Sequence, residues 1–196
     1  MSDVTCDLAV SVDGFVAGPD QSMEDPIGRG GMRLHEWHLD ALPEDRAVAE
    51  GWMDVGAHVM GRNMFGPGRG AWDLAWTGWW GEEPPYGVPV FVLTHHERPS
   101  VAVGATTFHF VTDGVEAAVA RAREAAGERD DADAGGASTA NQAQAAGLVD
   151  RLNLHVVPLT LGAGERLFAG VPPLDLEQVG VSSSPVVTHL SYRVRR

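Results

Sequence analysis

The sequence contains no lysine and a single cysteine. All 14 basic residues of the 196-residue chain are arginines, so a Schiff-base lysine and the phosphate-binding lysine of a P-loop are both excluded. Cys6 lies in an apolar run and has no second cysteine with which to form an internal disulfide. We therefore expect a buried, unreactive thiol and a reducing compartment.

Long apolar runs and positive charge are also scarce. No apolar run approaches the roughly 18 residues that a membrane span requires, and the first residues lack the positive charge that begins an export signal. The formal net charge is -13 and no run of arginines occurs, which argues against a nucleic-acid partner because phosphate backbones are bound by basic patches. We expect a cytoplasmic protein that acts on a small molecule.

The rest of the composition is that of a globular protein, with 44% hydrophobic residues in a length that suits one domain over 1–196. Short apolar runs alternate with helical patterns, and a final pair of strands has no helix between them. The predicted strands are 4–12, 57–60, 88–93, 108–111, 152–161, 174–181 and 186–194, and the predicted helices are 44–56, 116–126 and a segment capped by Ser138 or Thr139 that ends at Ala146. This order predicts a three-layer α/β sandwich with a largely parallel central sheet and antiparallel C-terminal strands, with ligands at the carboxyl ends of the strands.

Two segments have no clear secondary structure. Residues 21–33 combine glycine, methionine, proline and charge, which indicates a mobile surface loop; a lid and a plain disordered loop are both compatible with it. Four tryptophans fall between two predicted strands at helix-compatible spacings, namely Trp72, Trp76, Trp79 and Trp80. They indicate a packing face, with a substrate-pocket wall or a subunit interface as the alternatives.

Four ordered segments carry a family resemblance: SVDGFVAG at 11–18, VMGRNMF at 59–65, GGAS at 135–138 and LGAGERLF at 161–168. Together they resemble the dihydrofolate reductase superfamily, and more closely the branch that includes the reductase domain of riboflavin biosynthesis. The similarity covers nearly the whole chain. It implies a dihydrofolate reductase-like fold, hydride transfer from NADPH, and a homodimer.

Two parts of a cofactor site have a physical basis in the residues. A guanidinium at a strand end, Arg62, suits the 2′-phosphate that distinguishes NADPH from NADH, although it also suits a solvated loop. Gly135 and Gly136 precede a helix start, where backbone N–H groups attract a pyrophosphate; a tight turn is the alternative.

The resemblance extends this site residue by residue. It implies that Gly61, Arg62, Asn63 and Met64 contact the phosphates, with Gly135, Gly136, Ala137 and Ser138 beside them, that Thr94 and His95 border the adenosine, and that Ala9, Val16 and Gly18 contact the nicotinamide. Gly162 and Gly164 resemble the loop at the substrate end, although a hairpin bend would also explain them. We predict no metal, because His35 and His38 lack the cysteine partners of a structural zinc site.

Reduction of a C=N bond leaves a nitrogen that needs a proton. In the family this acid begins the first helix, and counting back sixteen positions from Gly61 reaches Asp45, which we take as the catalytic candidate. An acid in a first helical turn is also ordinary compensation of the helix dipole. Asp40, Glu36 and His38 are reserve candidates.

The acidic segment 130–134 departs from the family pattern, because a buried strand is expected there. Either this strand is short and at an edge, or the cofactor site is damaged. The leading hypothesis is an NADPH-dependent reductase of a pterin or of the ribosylaminopyrimidine of riboflavin biosynthesis, without the zinc-binding deaminase domain. The alternative is a non-catalytic, ligand-binding relative of the fold.

Overall fold

The computed structural model describes residues 3–51, 54–66, 68, 70–127, 129 and 131–195. The strands are β1 (Val4–Ser11), β2 (Phe15–Ala17), β3 (Ala57–Gly61), β4 (Pro89–Leu93), β5 (Val101–Val103), β6 (Thr106–Val111), β7 (Asp131–Gly135), β8 (Arg151–Val157), β9 (Glu165–Arg166), β10 (Asp175–Ser183) and β11 (Thr188–Arg195). The α-helices are α1 (Glu36–Leu39), α2 (Arg46–Gly51), α3 (Arg62–Phe65), α4 (Val115–Ala126) and α5 (Ala137–Ala145), and a 3₁₀-helix spans Gly31–Leu34.

Within the described residues, nine strands form one sheet in the order β10-β11-β8-β1-β7-β3-β4-β6-β5. The strands from β8 through β6 are parallel, whereas β11, β10 and β5 are antiparallel to their neighbours. A separate pair joins β2 to β9. The carboxyl ends of β1, β7 and β3 therefore meet at one edge of the sheet, where open parallel sheets bind ligands.

Alternation along β1 separates the two faces of the sheet. Cys6, Leu8 and Val10 are buried in a cluster with residues of α4 and α5, such as Val119 and Ala140. Burying such apolar side chains contributes roughly 1.5–3 kcal/mol each. This face is therefore the main hydrophobic core.

The opposite face carries two smaller clusters. Leu34 and Trp37, from the segment that contains the 3₁₀-helix and α1, pack with Val157 and Val187. Towards β4 and β6, Phe108 is fully buried, 4.9 Å from the Phe65 ring centroid, and the Trp80 ring stacks on it at 5.9 Å. These clusters form the third layer of the sandwich.

The structure confirms the predicted fold class, including the parallel centre and the antiparallel ending. Three boundaries were wrong. The predicted helix 44–56 is confined to α2, with Val55 already buried ahead of β3, and its Trp52 lies outside the described residues. Helix α5 begins at Ala137 after Gly136, so Ser138 and Thr139 lie in its first turn and do not cap it. Strand β8 ends at Val157 because Pro158 follows.

The two segments without clear predicted secondary structure are irregular over most of their described length. Residues 21–33 are hydrogen-bonded to the two residues that follow β2: Gly18 N–H donates to the Ile27 carbonyl at 2.8 Å, and Arg29 N–H donates to the Pro19 carbonyl at 2.8 Å. The tryptophan-rich segment, which lies between α3 and β4, forms turns, bends and irregular backbone where it is described. The rings of Trp72, Trp76 and Trp80 pack against the Phe108 cluster, as a packing face should.

The prediction of a short edge strand near 130–134 was wrong. Strand β7 lies in the interior of the sheet, paired with β1 and β3. Asp130 and the side chains of 131–134 lie outside the described residues. Among the helices described, none combines the length and apolar character needed to cross a membrane.

Candidate cofactor and active site

The double glycine lies where β7 ends and α5 begins. Both residues have positive φ, 122° at Gly135 and 86° at Gly136, which β-branched or bulky side chains rarely adopt. A Cβ on Gly136 would meet no described atom within 4 Å, and no side chain caps α5 within the described part of the chain. The amino end of α5 therefore presents a partial positive charge and open space, as a pyrophosphate site requires.

Close packing explains the neighbouring glycine at the end of β3. A Cβ on Gly61 would lie 2.7 Å from Oγ1 of Thr139, and one on Gly135 would lie 2.8 Å from Sδ of Met64. The absence of these side chains lets α5 and α3 approach the sheet edge. Ala137 is buried in the core, whereas Ser138 is exposed and its hydroxyl accepts from the Gln142 side chain at 3.1 Å.

Arg62 and Asn63 begin α3 directly after β3. The Arg62 guanidinium stacks 3.8 Å from the centroid of a Trp72 ring and donates to the Gly70 carbonyl at 2.6 Å. The Asn63 amide donates to Oε1 of Gln21 at 3.2 Å. These side chains contact the tryptophan-rich segment and the 21–33 loop, and a ligand phosphate at Arg62 would replace a carbonyl acceptor.

Thr94 and His95 follow β4. Thr94 is buried and its N–H donates to the Val111 carbonyl at 3.0 Å, while its hydroxyl accepts from the His96 N–H at 3.2 Å. His95 is exposed. Thr94 thus shapes the turn, and His95 is the member of this pair whose side chain reaches solvent.

The residues predicted on the nicotinamide side lie on different faces of the sheet. Ala9 faces the cluster around Trp37, whereas Val16 is buried in the core under α5. Gly18 is buried, and a Cβ there would lie 2.2 Å from the Arg29 carbonyl oxygen. Gly18 therefore allows the 21–33 loop to pack against the residues that follow β2, and Ala9 is the predicted contact that is paired with His155 in the sheet.

The two glycines predicted at the substrate end have different surroundings. A Cβ on Gly164 would lie 2.0 Å from the Ala17 carbonyl oxygen, so this glycine is required for β9 to pair with β2. Gly162 is exposed and its N–H donates to Oδ2 of Asp13 at 2.7 Å. Asp13 accepts hydrogen bonds from the Ser11 hydroxyl, which has the largest effect, and from the N–H groups of Gly162 and Leu161. These bonds hold the pKa of Asp13 below its ordinary value.

Asp45 precedes α2 and is 1% exposed. Its Oδ1 accepts from Nε2 of His189 at 3.1 Å, and its Oδ2 is buried with no hydrogen-bond partner among the described residues. A buried carboxylate oxygen without a donor is costly. Asp45 is therefore not a helix-dipole residue on the surface but part of a buried polar group on the Ala9 face.

The sequence interpretation missed the partners of Asp45. Nδ1 of His189 and Nδ1 of His155 are 2.7 Å apart, and Nε2 of His155 lies 2.5 Å from Oδ1 of Asp7. Trp37 covers both imidazoles, with ring centroids 4.7 Å from His155 and 4.9 Å from His189. The sequence carried one signal for these partners: Asp7, His155 and His189 are polar residues at inward-facing positions of three predicted strands.

The reserve candidates lie at the edge of this group. Glu36 and Asp40 are exposed, and His38 is half-buried with Nε2 at 3.2 Å from Nδ1 of His35. Burial lowers the pKa of His35 to about 4 and also lowers the pKa of His38. Of the four candidates, Asp45 is therefore the one that is withdrawn from solvent.

The fold is that of a dihydrofolate reductase-like α/β protein. A family profile described as the RibD C-terminal domain matches residues 2–190, and the chain belongs to this family. No curated protein sequence matches the chain significantly. The family match confirms the predicted family and the predicted class of NADPH-dependent reductase.

Solved structures show the same fold. A putative riboflavin biosynthesis protein from Shewanella sp. PV-4 has a TM-score of 0.65 and 22% identity, with all of both chains covered. Dihydrofolate reductase from Enterococcus faecalis, complexed with NADP(H), has a TM-score of 0.58 and 15% identity over 99% of this chain and 97% of that one. A diaminohydroxyphosphoribosylaminopyrimidine deaminase/5-amino-6-(5-phosphoribosylamino)uracil reductase from Thermotoga maritima has a TM-score of 0.60 and 15% identity; the match covers 99% of this chain and 57% of that one.

Proposed function

We propose that this protein reduces a ribosylaminopyrimidine with NADPH, acting on the C=N bond of its ring-opened sugar. Family membership supports the reaction class, and the Thermotoga relative is a reductase of a phosphoribosylaminouracil. The observation that supports the cofactor site is the amino end of α5 behind Gly135 and Gly136, which no side chain caps among the described residues. It supplies backbone N–H groups and dipole charge to a pyrophosphate without any lysine.

The remaining cofactor contacts follow from the same edge of the sheet. We assign the 2′-phosphate to Arg62, whose guanidinium would exchange the Gly70 carbonyl for a stronger, charged acceptor. When bound, NADPH supplies the hydride. We assign the nicotinamide to the Ala9 backbone and to the 21–33 loop on Gly18, and the proton donation to Asp45.

The first experiment is a calorimetric titration with NADPH and NADH. We expect NADPH to bind more tightly, and Arg62→Ala to remove most of that preference while leaving NADH binding nearly unchanged. Arg195→Ala is the matched control, because it removes the same charge from the exposed end of β11. This end lies at the amino ends of the parallel strands, away from the proposed cofactor site. Equal affinities for the two cofactors would contradict the assignment of Arg62.

The second experiment measures turnover. NADPH oxidation is followed by absorbance with a ribosylaminopyrimidine 5′-phosphate and, separately, with a dihydropterin. The proposal expects turnover with the first substrate. Tight NADPH binding without turnover of either substrate would instead favour the non-catalytic, ligand-binding alternative.

We further propose that the chain forms a single domain that assembles as a homodimer through β10. This strand is at the edge of the sheet, and its apolar side chains Val179 and Val181 are 52% and 62% exposed. Exposed strand edges pair readily with a second chain. Light scattering should give twice the monomer mass, and Val181→Lys should lower it.

A further inference from the structure

Trp72 lies between two segments that the cofactor assignment uses. The centroid of its ring is 3.8 Å from Cζ of Arg62, the first residue of α3. Its indole N–H donates to the His96 carbonyl at 2.9 Å, in the segment after β4 that also holds Thr94. One side chain therefore links the residue assigned to the 2′-phosphate with the segment predicted to border the adenosine.

Aromatic rings of the core hold the Trp72 indole in place. Phe65 and Phe110 meet it edge to face, with ring centroids at 5.7 and 5.1 Å. Both rings belong to the cluster around Phe108 or pack against it. Edge-to-face contacts and close packing restrict a ring to one orientation. Trp72 is thus a fixed surface on which the long side chain of Arg62 rests.

A buried guanidinium fixes the backbone next to Trp72. Arg98 is 7% exposed, and its Nη2 donates to the carbonyls of Leu74 and Trp76. Its Nη1 is buried without a partner among the described residues, and its Cζ lies 5.4 Å from the centroid of the Trp72 ring. A buried cation is costly unless nearby dipoles and aromatic faces compensate its charge. These contacts therefore hold residues 74–76 against the ring cluster.

The contact between Arg62 and Trp72 uses the flat face of the guanidinium. The N–H groups of a guanidinium lie in its plane and point outward from its rim. One of them, on Nη1 of Arg62, donates to the Gly70 carbonyl at 2.6 Å. A stacked guanidinium can therefore bind a phosphate through paired N–H groups along one edge without leaving the ring.

The stack also lowers the cost of binding a phosphate. An arginine side chain in solvent samples many rotamers, and fixing it on a ligand loses conformational entropy. Where the folded protein already holds the side chain, the ligand does not have to compensate that loss, and its affinity rises. The gain applies only to a ligand that contacts Arg62, which in the proposed function is the cofactor with a 2′-phosphate.

We propose that Trp72 determines the preference for NADPH over NADH by holding the Arg62 guanidinium in position. The inference rests on the proposed function, because that function assigns the 2′-phosphate to Arg62. Trp72 acts through Arg62 and is therefore a positioning residue. The tryptophan-rich segment is then part of the cofactor site as well as a cover for the Phe108 cluster.

Calorimetric titrations with NADPH and NADH test this role, because the two cofactors differ only by the phosphate. Trp72→Leu should lower the ratio of the two affinities by about tenfold, equivalent to about 1.4 kcal/mol, which a cation–π contact can supply. Trp72→Phe keeps an aromatic face and should retain most of the ratio. Trp79→Leu is the control: this indole lies in the same segment but packs on Trp76 and donates to the Asn63 carbonyl at 3.2 Å. Any loss that it causes should be equal for the two cofactors.

Two further measurements show whether Trp72 acts through Arg62. In the Arg62→Ala background, Trp72→Leu should leave the affinity ratio unchanged, because the side chain that it positions is gone. Indole fluorescence reports the contact directly and needs no leucine variant. Adenosine 2′,5′-bisphosphate should change the emission of the wild type more than AMP does, and Trp72→Phe should lose most of that difference.

The outcomes separate the two proposals. A wild type that prefers NADPH, with a Trp72→Leu variant that keeps this preference, would overturn the positioning role alone. So would an equal loss with and without Arg62, or an emission difference that Trp72→Phe retains in full. A wild type that binds the two cofactors equally, or binds neither, would overturn the proposed cofactor site itself, and the role of Trp72 with it.

Discussion

Replacing His58 by leucine should stabilise the protein and reduce its sensitivity to mild acid. His58 lies in β3, is 0% exposed, and packs edge-on against Tyr86 with ring centroids 4.9 Å apart. Neither ring nitrogen has a hydrogen-bond partner among the described residues. Burial lowers the pKa of His58 from 6.5 to about 4.

The sign of the pH dependence follows from these values. Between pH 6.5 and 4 the unfolded chain binds a proton at this position that the folded chain excludes, so the free energy of unfolding falls as the pH falls through that window. At pH 5 the loss amounts to about 2 kcal/mol for this one group, and it approaches about 3 kcal/mol at pH 4. Leucine has no proton to bind and no polar atom to desolvate, and it should add roughly 1–3 kcal/mol at neutral pH as well.

Urea unfolding followed by tryptophan fluorescence at pH 7.5 and pH 5 measures both effects. The difference between variant and wild type should grow by about 2 kcal/mol at the lower pH. His95→Gln is the control, because His95 is exposed. A variant whose free energy of unfolding falls with acid as steeply as that of the wild type would refute the argument that His58 is buried in its neutral form.

Three further results are expected. Phe108→Ala should lower the free energy of unfolding by roughly 3–5 kcal/mol in urea titrations, because it removes a fully buried ring from an aromatic cluster; a loss below about 1 kcal/mol would show that the tryptophan-rich segment does not cover it. Gly136→Ala should weaken NADPH binding by about tenfold in calorimetry, equivalent to about 1.4 kcal/mol. Gly147→Ala is the control: Gly147 also has positive φ but follows the other end of α5, so this change should leave the affinity unchanged. Asp13→Asn should reduce thermal stability at pH 7, and the loss should shrink as the pH falls through the lowered pKa of Asp13, since the carboxylate stabilises the fold only while it is charged; a loss that does not change with pH would contradict this.

Chain order and periodicity were enough to predict much of the fold. The alternating strands and helices predicted a parallel sheet, and Gly127 predicted where α4 ends. The periodicity of each element and the end of a helix depend on residues that are close in the chain. The helix predicted over 44–56 failed because its apolar periodicity continues into the approach to β3, and only packing decides where a helix stops. The acidic segment 130–134 was predicted to form an edge strand or to damage the site, yet the backbone of residues 131–133 pairs with both β1 and β3 in the interior of the sheet.

The site divides in the same way. Sequence alone determined the order of the motifs, the double glycine and the candidate acid Asp45, since each depends on local residue types and on resemblance. Only the tertiary structure decided that Asp45 is linked to Asp7 through two histidines. Asp45 and His189 are 144 positions apart in the chain, and His189 and His155 are 34 positions apart. No local pattern encodes such contacts: they arise from the register of β1, β8 and β11, which the whole sheet fixes through the burial of its other face.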